Sequence, residues 1–129
     1  MDRQTAIARL LDHYEHPRNS GPLDTPTAVV EGGYPDCGDQ VTIYVAIDAD
    51  QGTITQVTFE GQGCTISQAS ASILTEAVTG RSLSEVDQLD DTAMIDMLGR
   101  EVVRTRTRCA TLALNTLKTA IGKYRRHGA

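Results

Sequence analysis

The chain carries three cysteines, Cys37, Cys64 and Cys109, each in a setting that suits thiolate chemistry. Cys37 sits in Tyr34-Pro35-Asp36-Cys37-Gly38-Asp39, Cys64 follows Gly61-Gln62-Gly63, and Cys109 stands next to Arg108. An odd number of thiols cannot pair off in intramolecular disulfides without leaving one over. Cys64 and Cys109 each open a segment of helical periodicity. There the helix dipole favours the thiolate, the form that binds metal and attacks sulfur. Gly38 lets the backbone turn so that Cys37 and Asp39 converge on one ion. Three thiolates and a carboxylate satisfy a tetrahedral Zn2+ or the outer ligands of a small iron–sulfur cluster. The carboxylate is the harder and more readily displaced member, so the set reads as a site built to open. Paired Cys-x-x-Cys knuckles are missing, which argues against a zinc finger or ribbon. On composition alone, three inert core thiols are an equally good reading, because free cysteine packs as a small hydrophobe.

The elements that must hold these residues are legible from periodicity. Ala6, Ile7, Leu10, Leu11 and Tyr14 fall at helical spacing between Arg3 and Tyr14, and Pro17 and Pro22 end that helix. Ala28-Val29-Val30-Glu31 reads as a strand closed by Gly32-Gly33. Val41 to Ile47 and Ile54 to Phe59 alternate, and the intervening Asp48 to Gly52 makes a hairpin. Val41, Ile43, Val45, Ile47, Val57 and Phe59 share the dry face of an antiparallel sheet. After Cys64 the period becomes helical through Ile66, Ala69, Ser70, Ile73, Leu74, Ala77 and Val78, up to Gly80. Two short helices follow, Ser82 to Leu89 and Thr92 to Leu98, with Ser82 or Ser84 and Asp91 or Thr92 as caps. Arg100 to Arg108 has no clean period and reads as extended or loop. Cys109, Leu112, Ala113, Leu117, Ala120, Ile121 and Tyr124 line a last helix. Strands early and helices late predict an α+β domain, a small antiparallel sheet with helices packed on one face.

The bulk properties narrow the partners. A chain of 129 residues reads as one domain over residues 1–129, with residues 5–125 as its ordered core, and aromatics at 4 % with no Trp require an aliphatic core. The net charge of −5 argues against nucleic acid as a partner. No segment reaches the ~20 apolar residues of a membrane span. Met1-Asp2-Arg3-Gln4 leads into an amphipathic segment, not a signal-peptide core, so a cytoplasmic location is expected, where free thiols persist.

Four segments carry a family resemblance: Tyr14-Glu15-His16-Pro17-Arg18-Asn19-Ser20-Gly21, Cys37-Gly38-Asp39, Gly61-Gln62-Gly63-Cys64 and Arg106-Thr107-Arg108-Cys109-Ala110-Thr111-Leu112. In this order they resemble the iron–sulfur cluster assembly scaffold family, the U-type proteins of the Isc, Nif and Suf systems, whose fold is an α+β scaffold. The Ser-Gln-Ala-Ser-Ala-Ser run from Ser67 matches as well, and the likeness spans about residues 5 to 125. It implies Cys37, Asp39, Cys64 and Cys109 as metal or cluster ligands and Cys109 as the acceptor of persulfide sulfur. It also implies a cysteine desulfurase as sulfur donor, apo iron–sulfur acceptor proteins as recipients, and a [2Fe–2S] cluster or iron as cargo, with Zn2+ in the protein as isolated.

Two departures stand out. The Isc members have His before the last cysteine and a Leu-Pro-Pro-Val-Lys chaperone motif upstream. This chain has Arg108 there and Val102-Val103-Arg104-Thr105-Arg106 in place of the motif, which argues against a dedicated Hsp70-type chaperone. The Arg-x-Arg-Cys motif resembles the Suf branch, whose members are zinc-dependent sulfur acceptors, yet the Suf insertion between the second and third cysteines is missing. A cluster-building scaffold is the leading expectation, and a zinc-dependent sulfurtransferase without cluster assembly is its rival. Arg106 and Arg108 are either an exposed alternating face or groups that depress the Cys109 pKa and meet the desulfurase. Asp36 is expected to be solvated, and His16 and His127 carry no metal role.

Overall fold

The computed structural model describes residues 2–34 and 38–127, and the order of elements is one helix, three strands, then five helices. Helix α1 (Arg3–Glu15) is capped by Asp2, whose carboxylate accepts from Thr5 N–H at 2.7 Å. Strands β1 (Ala28–Tyr34), β2 (Asp39–Asp48) and β3 (Thr53–Gln62) form an antiparallel sheet in sequence order. Helices α2 (Thr65–Val78), α3 (Leu83–Asp87), α4 (Asp91–Leu98), α5 (Arg100–Val103) and α6 (Thr107–Arg126) follow. None of the described helices is long and apolar enough to cross a membrane.

The expected α+β architecture is present, and α2 and α6 lie on the sheet face that carries Val41, Ile43, Val45, Val57 and Phe59. Those five side chains join Ile73, Leu74, Leu114, Leu117 and Ile121 in an aliphatic core, with Phe59 the one buried aromatic among the described residues. The hairpin turn is held by the Asp48 carboxylate, which accepts from Asp50 and Gln51 N–H at 2.9 and 3.2 Å.

Five details depart from the expectation. The first strand does not stop at Gly32-Gly33 but runs through them to Tyr34. A Cβ on Gly32 would overlap Thr116 Oγ1, so glycine lets α6 pack directly on the strand backbone. A bulge shifts the β2–β3 register between Ala46 and Ile47, pairing Ala46 with Gln56 but Ile47 with Ile54. It turns Ile54 inward on the same face as Val57, against strict alternation, and leaves Ile47 half-buried. On α1 the inward residues are Ala6, Leu10 and His13, while Leu11 and Tyr14 are each 45 % exposed. The helix is rotated because His13 Nδ1 hydrogen-bonds Ser72 Oγ of α2 at 2.7 Å, and that hydroxyl also accepts from Arg18 N–H at 2.9 Å.

Arg100 to Arg108 is not extended. It holds α5 and the first turn of α6, anchored by the fully buried Val103. The run lacks a period because it spans two helices, the first of only four residues. Finally, α4 is capped by Asp90, not Asp91 or Thr92, through Ala93 N–H at 2.8 Å. The preceding α3 is capped by Ser82, with a reciprocal bond from Glu85.

Candidate metal centre

Three of the four expected ligand residues come together at one end of the sheet, and the fourth, Cys37, lies outside the described residues, as does Asp36. Asp39 is the first residue of β2. The partner strand β3 ends at Gln62, and Gly63 swings the chain into α2, so that Cys64 becomes that helix's N-cap. Cys64 Sγ accepts from Ser67 N–H at 3.5 Å, the bond an N-cap side chain makes. Helix α6 packs beside α2, which places Cys109, in the first turn of α6, against the same carboxylate.

Asp39 is the centre of the cluster and is only 2 % exposed. Its Oδ1 accepts from Cys64 N–H at 2.9 Å and from the Ser67 hydroxyl at 3.3 Å. Its Oδ2 accepts from Cys109 Sγ at 2.9 Å and lies 4.0 Å from Cys64 Sγ. One ligand atom from each of Asp39, Cys64 and Cys109 lies within 4.8 Å of the others. Two soft sulfurs and one hard oxygen at that spacing suit Zn2+ or iron. Gly63, at φ +141°, permits the arrangement. A Cβ there would overlap Asp39 Oδ1 and stand 3.0 Å from its Cα and Cγ.

The electrostatics divide the three residues. Burial pushes the Asp39 carboxyl up, but hydrogen bonds from Cys109, Cys64 N–H and Ser67, with the positive field of Arg106, outweigh it and hold Asp39 below the ordinary carboxylate value. Cys109 goes the other way. Burial first, then its hydrogen bonds to Asp39 and Cys64 and their negative fields, push its thiol up to about 12. The expectation that the helix start would lower it is overturned, because burial against a carboxylate outweighs the dipole. A cation between the three groups reverses that balance, since a coordinated thiol is deprotonated.

Asp39 is thus no solvated turn residue. Arg106 is exposed at the N-cap of α6, whereas Arg100 is paired with Asp96 at 2.6 Å. His16 and His127 are exposed and far from the cluster in the chain, and neither belongs to it. Ser67 is, among the described residues, a neighbour to which sequence reasoning gave no role in the site. Its signal was its place three residues after a capping cysteine, where an N-cap partner stands.

Fold and site together define an α+β protein that presents a buried carboxylate between two helix-borne thiols at one end of an antiparallel sheet. The chain belongs to the NifU-like N terminal domain family, whose model matches residues 6–129. It is similar to the iron-sulfur cluster assembly scaffold protein IscU of Haemophilus influenzae, with 35 % identity over 120 residues covering 91 % of this chain and 93 % of that one. It is also similar to the zinc-dependent sulfurtransferase SufU of Bacillus subtilis, with 33 % identity over 131 residues covering 88 % of this chain and 87 % of that one. Among solved structures, the N-terminal part of a nitrogen-fixing NifU-like protein from Brucella abortus superposes with a TM-score of 0.77. That likeness covers 99 % of this chain and all of the other at 22 % identity, and it speaks to the fold alone.

Proposed function

We propose that this protein is an iron–sulfur cluster assembly scaffold, taking sulfur from a cysteine desulfurase and building a [2Fe–2S] cluster for apo acceptor proteins in the cytoplasm. The observation that carries the reading is the placement of Asp39 Oδ2 between Cys109 Sγ and Cys64 Sγ, on groups from three separate elements. A purely structural zinc site closes itself with four Cys or His donors, whereas a carboxylate among thiolates exchanges more readily. Cargo that must leave needs such a ligand.

In this reading Cys37, Asp39, Cys64 and Cys109 hold the cargo, and Cys109 is the sulfur acceptor. Its thiolate attacks the outer sulfur of the desulfurase persulfide. A new S–S bond forms on Cys109 as the old one breaks, and the desulfurase cysteine leaves as thiolate. Releasing that sulfur as sulfide takes two electrons from a donor outside this chain. Arg106, exposed beside the site, contacts the desulfurase. Zn2+ in the protein as isolated would be held by the same residues and would keep the thiols deprotonated.

The test is the visible spectrum during anaerobic incubation with a cysteine desulfurase, cysteine and ferrous iron. A [2Fe–2S] chromophore that grows on this chain, and is lost in Cys37→Ala and Cys64→Ala, supports the scaffold. A flat spectrum while the desulfurase turns over faster overturns it in favour of a zinc-dependent sulfur relay.

A further inference from the structure

Ser67 stands outside the ligand set yet touches two of its members. The residue is 3 % exposed, in the first turn of α2. Its backbone N–H donates to Cys64 Sγ at 3.5 Å. Its hydroxyl lies 3.3 Å from Asp39 Oδ1 and 3.0 Å from the Cys64 carbonyl oxygen. Gln68 Nε2 donates to that hydroxyl oxygen at 3.4 Å, which leaves the single hydroxyl proton for the carboxylate or the carbonyl.

The two oxygens of Asp39 therefore have different surroundings. Oδ1 faces the Cys64 N–H and the Ser67 hydroxyl, and Oδ2 faces the two sulfurs. We infer that Ser67 is a positioning residue that ties down Asp39 Oδ1, so that Asp39 meets a metal through Oδ2 alone. A carboxylate free to turn about its Cβ–Cγ bond offers both oxygens and expands a four-coordinate ion to five. One tethered by Oδ1 keeps a single, replaceable contact. Ser67 thereby sets both the geometry of the site and the ease with which Asp39 lets go. Outer hydrogen bonds of this kind are worth about 10–100-fold in metal affinity.

This inference rests on the metal-site reading above, and the experiment separates the two. Co2+ is titrated into wild-type, Ser67→Ala, Asp39→Ala and doubly substituted protein. Affinity is read by competition with a chelator, and geometry by the strength of the visible d–d bands, which weaken as coordination rises from four to five. Ser67→Ala is expected to lose about tenfold in affinity and to show weaker bands, while Ser67→Thr, which keeps the hydroxyl, restores both. In the Asp39→Ala background the same substitution is expected to change nothing, because Ser67 acts through Asp39. Unchanged affinity and bands in Ser67→Ala overturn the inference, and so does an equal loss with Asp39 absent. A wild-type protein that binds no Co2+ overturns the metal site itself and the inference with it.

Discussion

Gly63→Ala tests whether the close approach of the β3–α2 junction to Asp39 creates the site. The wild-type backbone sits at φ +141°, where an L side chain is strained, and the added methyl would overlap Asp39 Oδ1. Asp39 is buried and flanked by Cys64, Ser67 and Cys109, so the carboxylate yields by giving up its Oδ1 bonds. Backbone strain of this sort costs about 1–3 kcal/mol, and each hydrogen bond to a charged group is worth about 1.5–3 kcal/mol. The low ends with both bonds lost give about 4 kcal/mol, a large share of the stability of a domain this size. At roughly 3–5 °C per kcal/mol the melting temperature should fall by more than about 10 °C. Zn2+ affinity, read by chelator competition, should fall by about tenfold or more, because the displaced carboxylate is itself a ligand. Gly52→Ala is the control. Its φ of +65° carries backbone strain, but a Cβ there meets nothing within 4 Å. It should lower the melting temperature by a few degrees and leave Zn2+ binding alone. If Gly63→Ala behaves like Gly52→Ala in both measurements, the reasoning is wrong.

Three further outcomes follow from the same geometry. Asp39→Ala removes the oxygen ligand and should give a longer-lived [2Fe–2S] chromophore under air; an equally short-lived one counts against Asp39 as the labile group. Arg106→Ala should slow sulfur uptake from the desulfurase persulfide without loss of bound Zn2+, since Arg106 is exposed and reaches Asp39 through its field; unchanged uptake discards the contact. The third concerns His13, whose pKa is held low by burial first and then by Arg18 and Arg9, against the opposing fields of Glu76 and Asp12. The unfolded chain then binds more protons than the folded one as pH drops below about 6.5, so stability is full above that value and falls beneath it. Urea midpoints should decline between about pH 7 and pH 5.5 in wild type and less in His13→Gln, and parallel slopes for the two proteins would refute the role.

Much of this was legible because the signals are local. The helical spacing from Ile66 to Val78, the alternation of Val41 to Ile47 and the glycine before Cys64 each reflect neighbours a few residues apart, and each element appears where its pattern lies. Several of the misreadings share one cause, which is that contact with another element decided the outcome. Gly32-Gly33 resembled a strand end because glycine weakens strands, yet the approach of Thr116 makes glycine the residue that fits. Leu11 and Tyr14 shared the apolar spacing of α1, yet the hydrogen bond from His13 to Ser72 turns the helix and leaves them exposed. Ile54 looked out of phase until the bulge brought it into the core.

By itself the chain's order of residues determined which groups are competent for metal and sulfur chemistry. It also set the strand and helix starts that carry Asp39, Cys64 and Cys109. Those depend on donor type, turn-permitting glycines and helix caps, all encoded within a few positions. Only the tertiary structure decided what those groups do to one another. Asp39 meets Cys64 across 25 positions and Cys109 across 70. At that junction hydrogen bonds from Cys109, Cys64 N–H and Ser67 hold the Asp39 carboxyl down against its burial, while burial drives the Cys109 thiol up, against the effect its own helix would have. A pKa answers to the total field and solvation at a point in space, and no stretch of sequence contains that point.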